Sequence, residues 1–241
     1  MDYKDYEGGL TGNYFWFRAK ERLIGVLLDK TKGDCRRTSK VLDVGAGTGS
    51  DLEAIRKSGD VYVLDVDPRS LALIPDSMVA EKKLGNVCSI PYPDCFFDKV
   101  VAFDVLEHVE DDTLAFEEVR RVLKDGGFFV FTVPAFSSLY SSHDKALNHY
   151  RRYDKRTLKE KISAFSPLEI GYWMCLLFPV VAVVRLLARG KTNPKIDAPH
   201  LPTLVNDILY HTLMFENQLI AKGLKLPIGL TIYGICQKRT G

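Results

Sequence analysis

Short apolar runs alternate with helically spaced segments along the first half of the chain. Residues 41–44 and 61–66 are such runs, bounded by turn residues, the pattern of strands buried on both faces. Residues 100–103 and 128–133 repeat it. Between the first two, Ser50 with Glu53 three positions on predicts a capping box and a helix starting directly after Gly49. Between the later two, Phe116, Val119 and Leu123 share one face of a helix that Asp111 or Asp112 can start and Gly126 can end. Asp67 followed by Pro68 starts another. Strands and helices alternating at this spacing predict an α/β fold with a doubly wound, mostly parallel sheet, in which ligands bind beyond the carboxyl ends of the strands.

After Pro134 the alternation breaks. Residues 135–153 read as a polar, aromatic and basic loop, 157–165 as a helix, and 168–173 and 230–236 as the last two strands. The apolar segment between those strands, residues 174–227, far exceeds the usual connection of about 2–6 residues and reads as a helical insertion, a lid. Its start, YWMCLLFPVVAVVRLLARG, is interrupted by Pro179 and Arg185 and falls short of the about 20 apolar residues of a spanning helix. Arg185, Arg189, Lys191 and Lys195 resemble the cationic flank of an interfacial helix. The segment NYFWFRAKERLIGVLLDK offers Phe17, Leu23, Ile24, Leu27 and Leu28 to one helical face, so residues 1–39 read as a helical cover over a core of residues 40–134. Residues 135–167 then form a substrate-side loop and helix, and 228–238 the last strand, of one domain.

Composition narrows the partners. At 241 residues the chain suits one α/β domain, and Lys+Arg 33 against Asp+Glu 31 is too balanced to announce nucleic acid. The five cysteines are odd in number and contain no Cys-x-x-Cys pair, so neither a disulfide framework nor a zinc knuckle is indicated and a reducing, cytoplasmic setting is expected. The opening MDYKDYEGGL is acidic and polar where a signal peptide is basic and then apolar.

The stretch VLDVGAGTGS carries the candidate chemistry. Gly45, Gly47 and Gly49 remove three Cβ atoms from a turn that follows a buried strand, letting backbone approach a ligand, and the next helix aims its free N–H groups at the same place. A dinucleotide fingerprint reads G-x-G-x-x-G; here the third glycine comes one residue early and Asp43 stands two residues before the first. Asp65 ends the second strand, where a carboxylate accepts both hydroxyls of a ribose.

VLDVGAGTGS, VYVLDVDP, LGNVCSIPYPDCFFDKVVAFDVLEHVED and VLKDGGFFVFTVP resemble, in order, the motifs of class I S-adenosylmethionine-dependent methyltransferases, especially the ubiquinone and menaquinone biosynthesis branch. The resemblance runs through residues 40–134. It implies a Rossmann-like seven-stranded sheet, S-adenosylmethionine as cofactor and S-adenosylhomocysteine as product. It implies Gly45, Gly47 and Gly49 beside the amino-acid end of the cofactor, and Asp65 with Val66 at its ribose. Asn86 takes the place of the acid or amide that meets the adenine amino group, many members carrying Asp there, and Val87 adds backbone and apolar contact. Asp104 lines the methionine part. Asp43 holds the turn, directly or through water.

Methyl transfer from a sulfonium needs alignment more than acid catalysis, and an attacking oxygen also needs a base. The loop HDKALNHYRRYD supplies His143, His149 and Tyr153 as catalytic candidates, against the alternative that they brace the loop. His108, in LEHVED, borders the cleft by resemblance and suits a positioning or helix-entry role. No metal is implied: His143 and His149 lack an obvious third ligand, and the flanking arginines repel a cation. The expected acceptor is small and hydrophobic or lipid-like, methylated on oxygen or carbon. A substrate pocket, a homodimer interface and shallow membrane docking compete for the insertion. The rival readings are a nicotinamide-dependent oxidoreductase, disfavoured by the glycine spacing, and a non-catalytic cofactor-binding regulatory or scaffold protein.

Overall fold

The computed structural model describes residues 13–31, 38–187 and 201–240; Arg189, Lys191, Lys195 and the first ten residues, on which expectations were placed, lie outside them. The sheet has seven strands: β1 (Lys40–Val44), β2 (Asp60–Asp65), β3 (Glu81–Leu84), β4 (Phe97–Phe103), β5 (Leu123–Pro134), β6 (Phe165–Trp173) and β7 (Thr231–Lys238). Their order is 3-2-1-4-5-7-6, and β7 runs antiparallel to both its neighbours. The order reverses between β1 and β4, which opens a crevice at the carboxyl ends of those strands. β3, with the sequence EKKL, has no apolar run to announce it; it is an edge strand, partly exposed along its length.

Strand alternation sends neighbouring residues to opposite layers. Val41, Val101, Val130 and Tyr233 pack with α1 (Phe15–Asp29), and Leu42, Val100, Phe129 and Ile232 pack with α4 (Asp112–Val122) and α6 (Lys155–Lys161). The remaining helices are α2 (Leu52–Ile55), α3 (Pro68–Leu73), α5 (Ser142–Ala146), α7 (Phe178–Leu187) and α8 (Thr203–Ala221). Asp67 caps α3 and Asp111 caps α4, the latter accepting from the Leu114 N–H at 3.3 Å. Gly126 does not end α4. The helix stops at Val122 because Leu123 is already paired with Phe97 as the first residue of β5, and Gly126, at φ +74°, sits within that strand.

α8 lies against α1 and completes it. Tyr14, the N-cap of α1, has no side-chain cap; Asn206 Oδ1 of α8 accepts from the Phe15 N–H at 2.8 Å in its place. Asn217 Nδ2 donates to the Ala19 carbonyl at 2.9 Å. Leu23, Ile24, Leu27 and Leu28 are buried as expected, whereas Phe17 is half-buried. Pro179 sits in the first turn of α7 rather than breaking it, because a first-turn N–H has no intrahelical partner to lose and proline's fixed φ suits the helix. Among the described residues no helix is long and apolar enough to cross a membrane.

Candidate active site

All three glycines of the turn after β1 take positive φ: Gly45 +68°, Gly47 +53° and Gly49 +78°. At Gly45 a Cβ would stand 2.5 Å from Val105 Cγ2, so the turn needs glycine for space as well as for conformation. Asp65 ties this turn to the end of β2. Its Oδ2 accepts from the Gly47 N–H at 2.7 Å and its Oδ1 from the Asp67 N–H at 2.8 Å. Each carboxylate oxygen keeps a lone pair for a further donor. The helix starts one residue later than the expected capping box at Ser50 would place it. α2 begins at Leu52, spans one turn before a 3-10 stretch, and has Asp51 as its N-cap without a side-chain cap bond. Asp51 is turned away, its Oδ2 3.4 Å from Lys20 Nζ. So short a helix gives the turn little dipole.

A cleft of about 400 Å³ opens at the carboxyl edge of β1, β2 and β4. Gly45, Asp65, Val66, Asn86 and Val87 line one side, and Val105, His108 and Tyr150 stand among the residues of the other. Asn86 Oδ1 accepts from the Cys88 N–H at 2.9 Å, so an adenine amino group would meet its second lone pair. Gly47 reaches the cleft through Asp65. Gly49, Asp43 and Asp104 are not among the lining residues, and neither is any residue of α7 or α8. Asp43 is buried; burial, and then Asp51, push its carboxyl far above the usual range, which suits the structural role expected of it.

Asp104 is held by a residue that periodicity had placed in no role. Lys20 of α1 is 3% exposed and its Nζ lies 2.8 Å from Asp104 Oδ2. Thr132 Oγ1 donates to Asp104 Oδ1 at 3.0 Å, and the Asp104 backbone sits at φ +57°. Burial alone would lower the Lys20 ammonium, but Asp104 and Asp51 outweigh it and raise it. Burial alone would raise Asp104, but Lys20, and then Thr132, hold it below the ordinary carboxylate range. The signal was present: Lys20 stands three and four residues before Leu23 and Ile24, on the apolar stripe of the helix.

The loop after β5 is drawn onto the turn after β4, where the Tyr150 N–H donates to the Glu107 carbonyl at 2.8 Å. The anchor of the loop is Asp144, fully buried. It accepts from Arg152 Nε at 2.8 Å and from the Ser141 N–H at 2.9 Å, and pairs with Arg185 Nη1 at 3.1 Å. Burial raises this carboxyl; His149 and the two guanidinium groups more than offset that and hold it below its usual range. Arg185 therefore points inward, not along a membrane-facing flank. His149 packs edge-on against His108, ring centroids 4.5 Å apart, with its Nδ1 3.5 Å from Asp144 Oδ1 and closing no hydrogen bond. His143 on α5 is half-buried, and burial, then Arg185, lower its pKa. Tyr153 is a brace rather than a cleft residue: it is 2% exposed, and its hydroxyl donates to Asp112 Oδ2 at 2.7 Å, with the Leu106 carbonyl a longer, shared acceptor at 3.1 Å. Beneath His108, Glu107 is 1% exposed and its Oε2 has no hydrogen-bond partner. Burial, and then Asp104, raise that carboxyl well above its usual range.

A family model described as "Methyltransferase domain" matches residues 42–131. A Mycolicibacterium smegmatis protein bearing the name of an S-adenosylmethionine-dependent methyltransferase is 30% identical over 156 residues, covering 63% of this chain and 59% of that one. A ubiquinone/menaquinone biosynthesis C-methyltransferase of Neisseria meningitidis is 32% identical over 126 residues, 48% of this chain and 50% of its own. The chain thus spans between half and three fifths of the length of these relatives. A chain of the Haloferax volcanii complex with the Trm112 methyltransferase activator superposes with a TM-score of 0.60 at 17% identity, over 98% of this chain and 94% of that one, which shows the fold. With the 3-2-1-4-5-7-6 sheet and the glycine turn tied to the acid that ends β2, residues 42–131 of this chain form a methyltransferase domain of the class I S-adenosylmethionine-dependent kind.

Proposed function

We propose that the protein transfers a methyl group from S-adenosylmethionine to an oxygen or carbon of a small, hydrophobic or lipid-like acceptor. The observation that carries this reading is the wall of the cleft formed by Gly45, Asp65, Val66, Asn86 and Val87. When bound, the cofactor supplies a methyl group on a sulfonium, whose departure leaves a neutral sulfide. Asp65 holds the ribose with the lone pairs left by Gly47 and Asp67, Val66 flanks it, and Asn86 and Val87 meet the adenine. Gly45, Gly47 and Gly49 admit the amino-acid end, and Asp43 keeps the turn in place. Asp104, fixed by Lys20 and Thr132, stands at the methionine side and favours positive charge there. Of the three catalytic candidates, His149 is favoured because its ring packs against His108 of the cleft wall, whereas the Tyr153 hydroxyl is engaged by Asp112.

An apolar acceptor is supported by the helices inserted between β6 and β7. Val180, Val183 and Val184 of α7 and Leu204 and Ile208 of α8 are exposed, a greasy surface that suits an amphiphile or the membrane holding it. Calorimetric titration with S-adenosylmethionine and S-adenosylhomocysteine, with NAD as control, tests the cofactor, and transfer of a labelled methyl to amphiphiles tests the acceptor class. Specific micromolar binding of the first two is expected. A folded protein that binds neither refutes the proposal.

A further inference from the structure

Glu107, His108 and His149 each offer one ligand atom, and the three atoms lie within 4.8 Å of one another. We propose that they form a binding site for one divalent first-row transition metal ion, with zinc or cobalt as probe, whose open positions face the cleft and take an oxygen of the acceptor. The metal site stands on its own geometry; its use in catalysis rests on the methyl-transfer reading above.

The donor set is one carboxylate oxygen and two imidazole nitrogens, which suits zinc, iron, cobalt or manganese, whereas magnesium and calcium favour all-oxygen sets. Three protein ligands leave room for a further ligand, as in metal sites that act on a substrate. Glu107 supplies the second observation. Its Oε2 is buried without a partner, a costly state for a carboxylate and one that a bound cation relieves.

The surroundings support the ligands. Coordination through His149 Nε2 would leave its Nδ1–H for Asp144, 3.5 Å away, the carboxylate–histidine backing common behind metal-bound imidazoles. Asp144 is in turn fixed by Arg152, Arg185 and Ser141. The Tyr150 N–H to Glu107 carbonyl bond brings the two parts of the site together across a long stretch of chain. The arginines that flank His149 in sequence, expected to repel a cation, are turned onto other groups: Arg151 lies 2.6 Å from Asp112 Oδ1, and Arg152 bonds Asp144 and the Ala135 carbonyl. Metal–ligand bonds of about 2.0–2.2 Å require ligand atoms roughly 3.5 Å apart, so the three draw inward by side-chain rotation on binding. His108 is exposed in the cleft wall, where an ion arriving from solvent reaches it first.

This assigns the acceptor atom. A hydroxyl oxygen held at the open position loses its proton to water more readily, its electron pair forms the new oxygen–carbon bond, and the carbon–sulfur pair stays on sulfur. The acceptor class is then a hydrophobic alcohol or phenol.

The test is a cobalt(II) titration of the full chain, freed of metal by chelation, followed by visible absorption and by equilibrium dialysis, with zinc competition. One cobalt per chain is expected, displaced by zinc, with affinity falling at least about tenfold in each of Glu107→Gln, His108→Gln and His149→Gln. His108 is exposed, so its variant remains folded even where a buried substitution does not. A folded wild-type chain that takes up no cobalt, a His108→Gln chain that binds it as tightly, or a spectrum of thiolate ligation would overturn the proposal. Titrating S-adenosylmethionine into metal-free and zinc-loaded protein separates the two readings: cofactor binding without metal uptake sinks only this one, and metal uptake without cofactor binding sinks only the other.

Discussion

Along the wall of the cleft formed by β1 and β2, every group comes from a strand end or the turn that follows it: Gly45 after β1, Asp65 and Val66 at the end of β2, Asn86 and Val87 after β3. On the side of β4 the groups come from distant parts of the chain: Lys20 from α1, Asp104 and Glu107 after β4, Asp144 and His149 from the loop after β5. The first wall is rigid backbone set by local chain geometry. Behind the second wall, which Val105, His108 and Tyr150 line, lies a set of buried charges that hold one another in place, Lys20 with Asp104 and Asp51, Asp144 with Arg152 and Arg185. The first is strained chiefly at its glycines; the second can be broken by removing any one charge.

The largest effect is expected on the charged side. Lys20→Met leaves Asp104 and Asp51 without their buried cation and should destabilise the fold by about 3–5 kcal/mol, measured by urea unfolding. Adding Asp104→Asn to the same chain should recover part of that loss, because the stranded charge goes with it. A loss under about 1 kcal/mol for the single variant would mean that the ammonium contributes only as a surface ion does.

On the backbone side, Gly45→Ala forces a Cβ into a left-handed residue and against Val105. The left-handed conformation costs about 1–2 kcal/mol and the overpacking about 1–3 kcal/mol. Pairing it with Val105→Ala should remove the packing part and leave the conformational part. If the double variant is no more stable than the single one, the clash is not what holds this position to glycine.

Asp65→Ala carries the comparison to binding. Affinity for S-adenosylhomocysteine should fall by about 1.5–3 kcal/mol, the scale of hydrogen bonds to a charged group, with a smaller loss of stability as the Gly47 N–H loses its acceptor. Unchanged affinity in a folded variant would remove Asp65 from the ribose.

The same contrast separates what the sequence pattern encodes locally from what only the folded chain brings together. Strand runs and the glycine spacing are local, so β1, β2, β4 and β5 were legible, and with them Gly45, Asp65, Asn86 and Val87 in the cleft. β3 escaped because an edge strand written EKKL has no apolar run. Ser50 and Glu53 placed the start of α2 one residue early, and Asp51, its N-cap, is drawn to Lys20, a partner from another helix that no local window contains. Arg185 read as a surface cation for the same reason, its partner Asp144 being a loop away. Glu107 and His149 were both in view as residues. Their meeting depends on the loop after β5 folding back on the turn after β4, which spacing alone does not encode.

The smallest effect separates the buried charges by pH. Burial, and then Arg185, lower the pKa of His143, so the folded chain binds this proton less readily than the unfolded one, whose histidine titrates near about 6.5. The stability tied to neutral His143 is therefore complete above about pH 6.5 and is lost as pH falls below it, at no more than about 1.4 kcal/mol per pH unit for one proton. Asp144 is also lowered, but its contribution is lost only below the ordinary carboxylate range, so it does not enter the same window. Glu107 acts with the opposite sign: its raised carboxyl favours the folded state below its ordinary value and loses that contribution as pH rises. Total stability between pH 5.5 and 7.5 thus mixes opposing contributions, and only the difference between wild type and His143→Gln isolates the histidine. Urea midpoints should show the variant losing less stability than wild type on acidification from 7.5 to 5.5. Equal losses in the two chains would place His143 in solvent and leave the loop held by Asp144 alone.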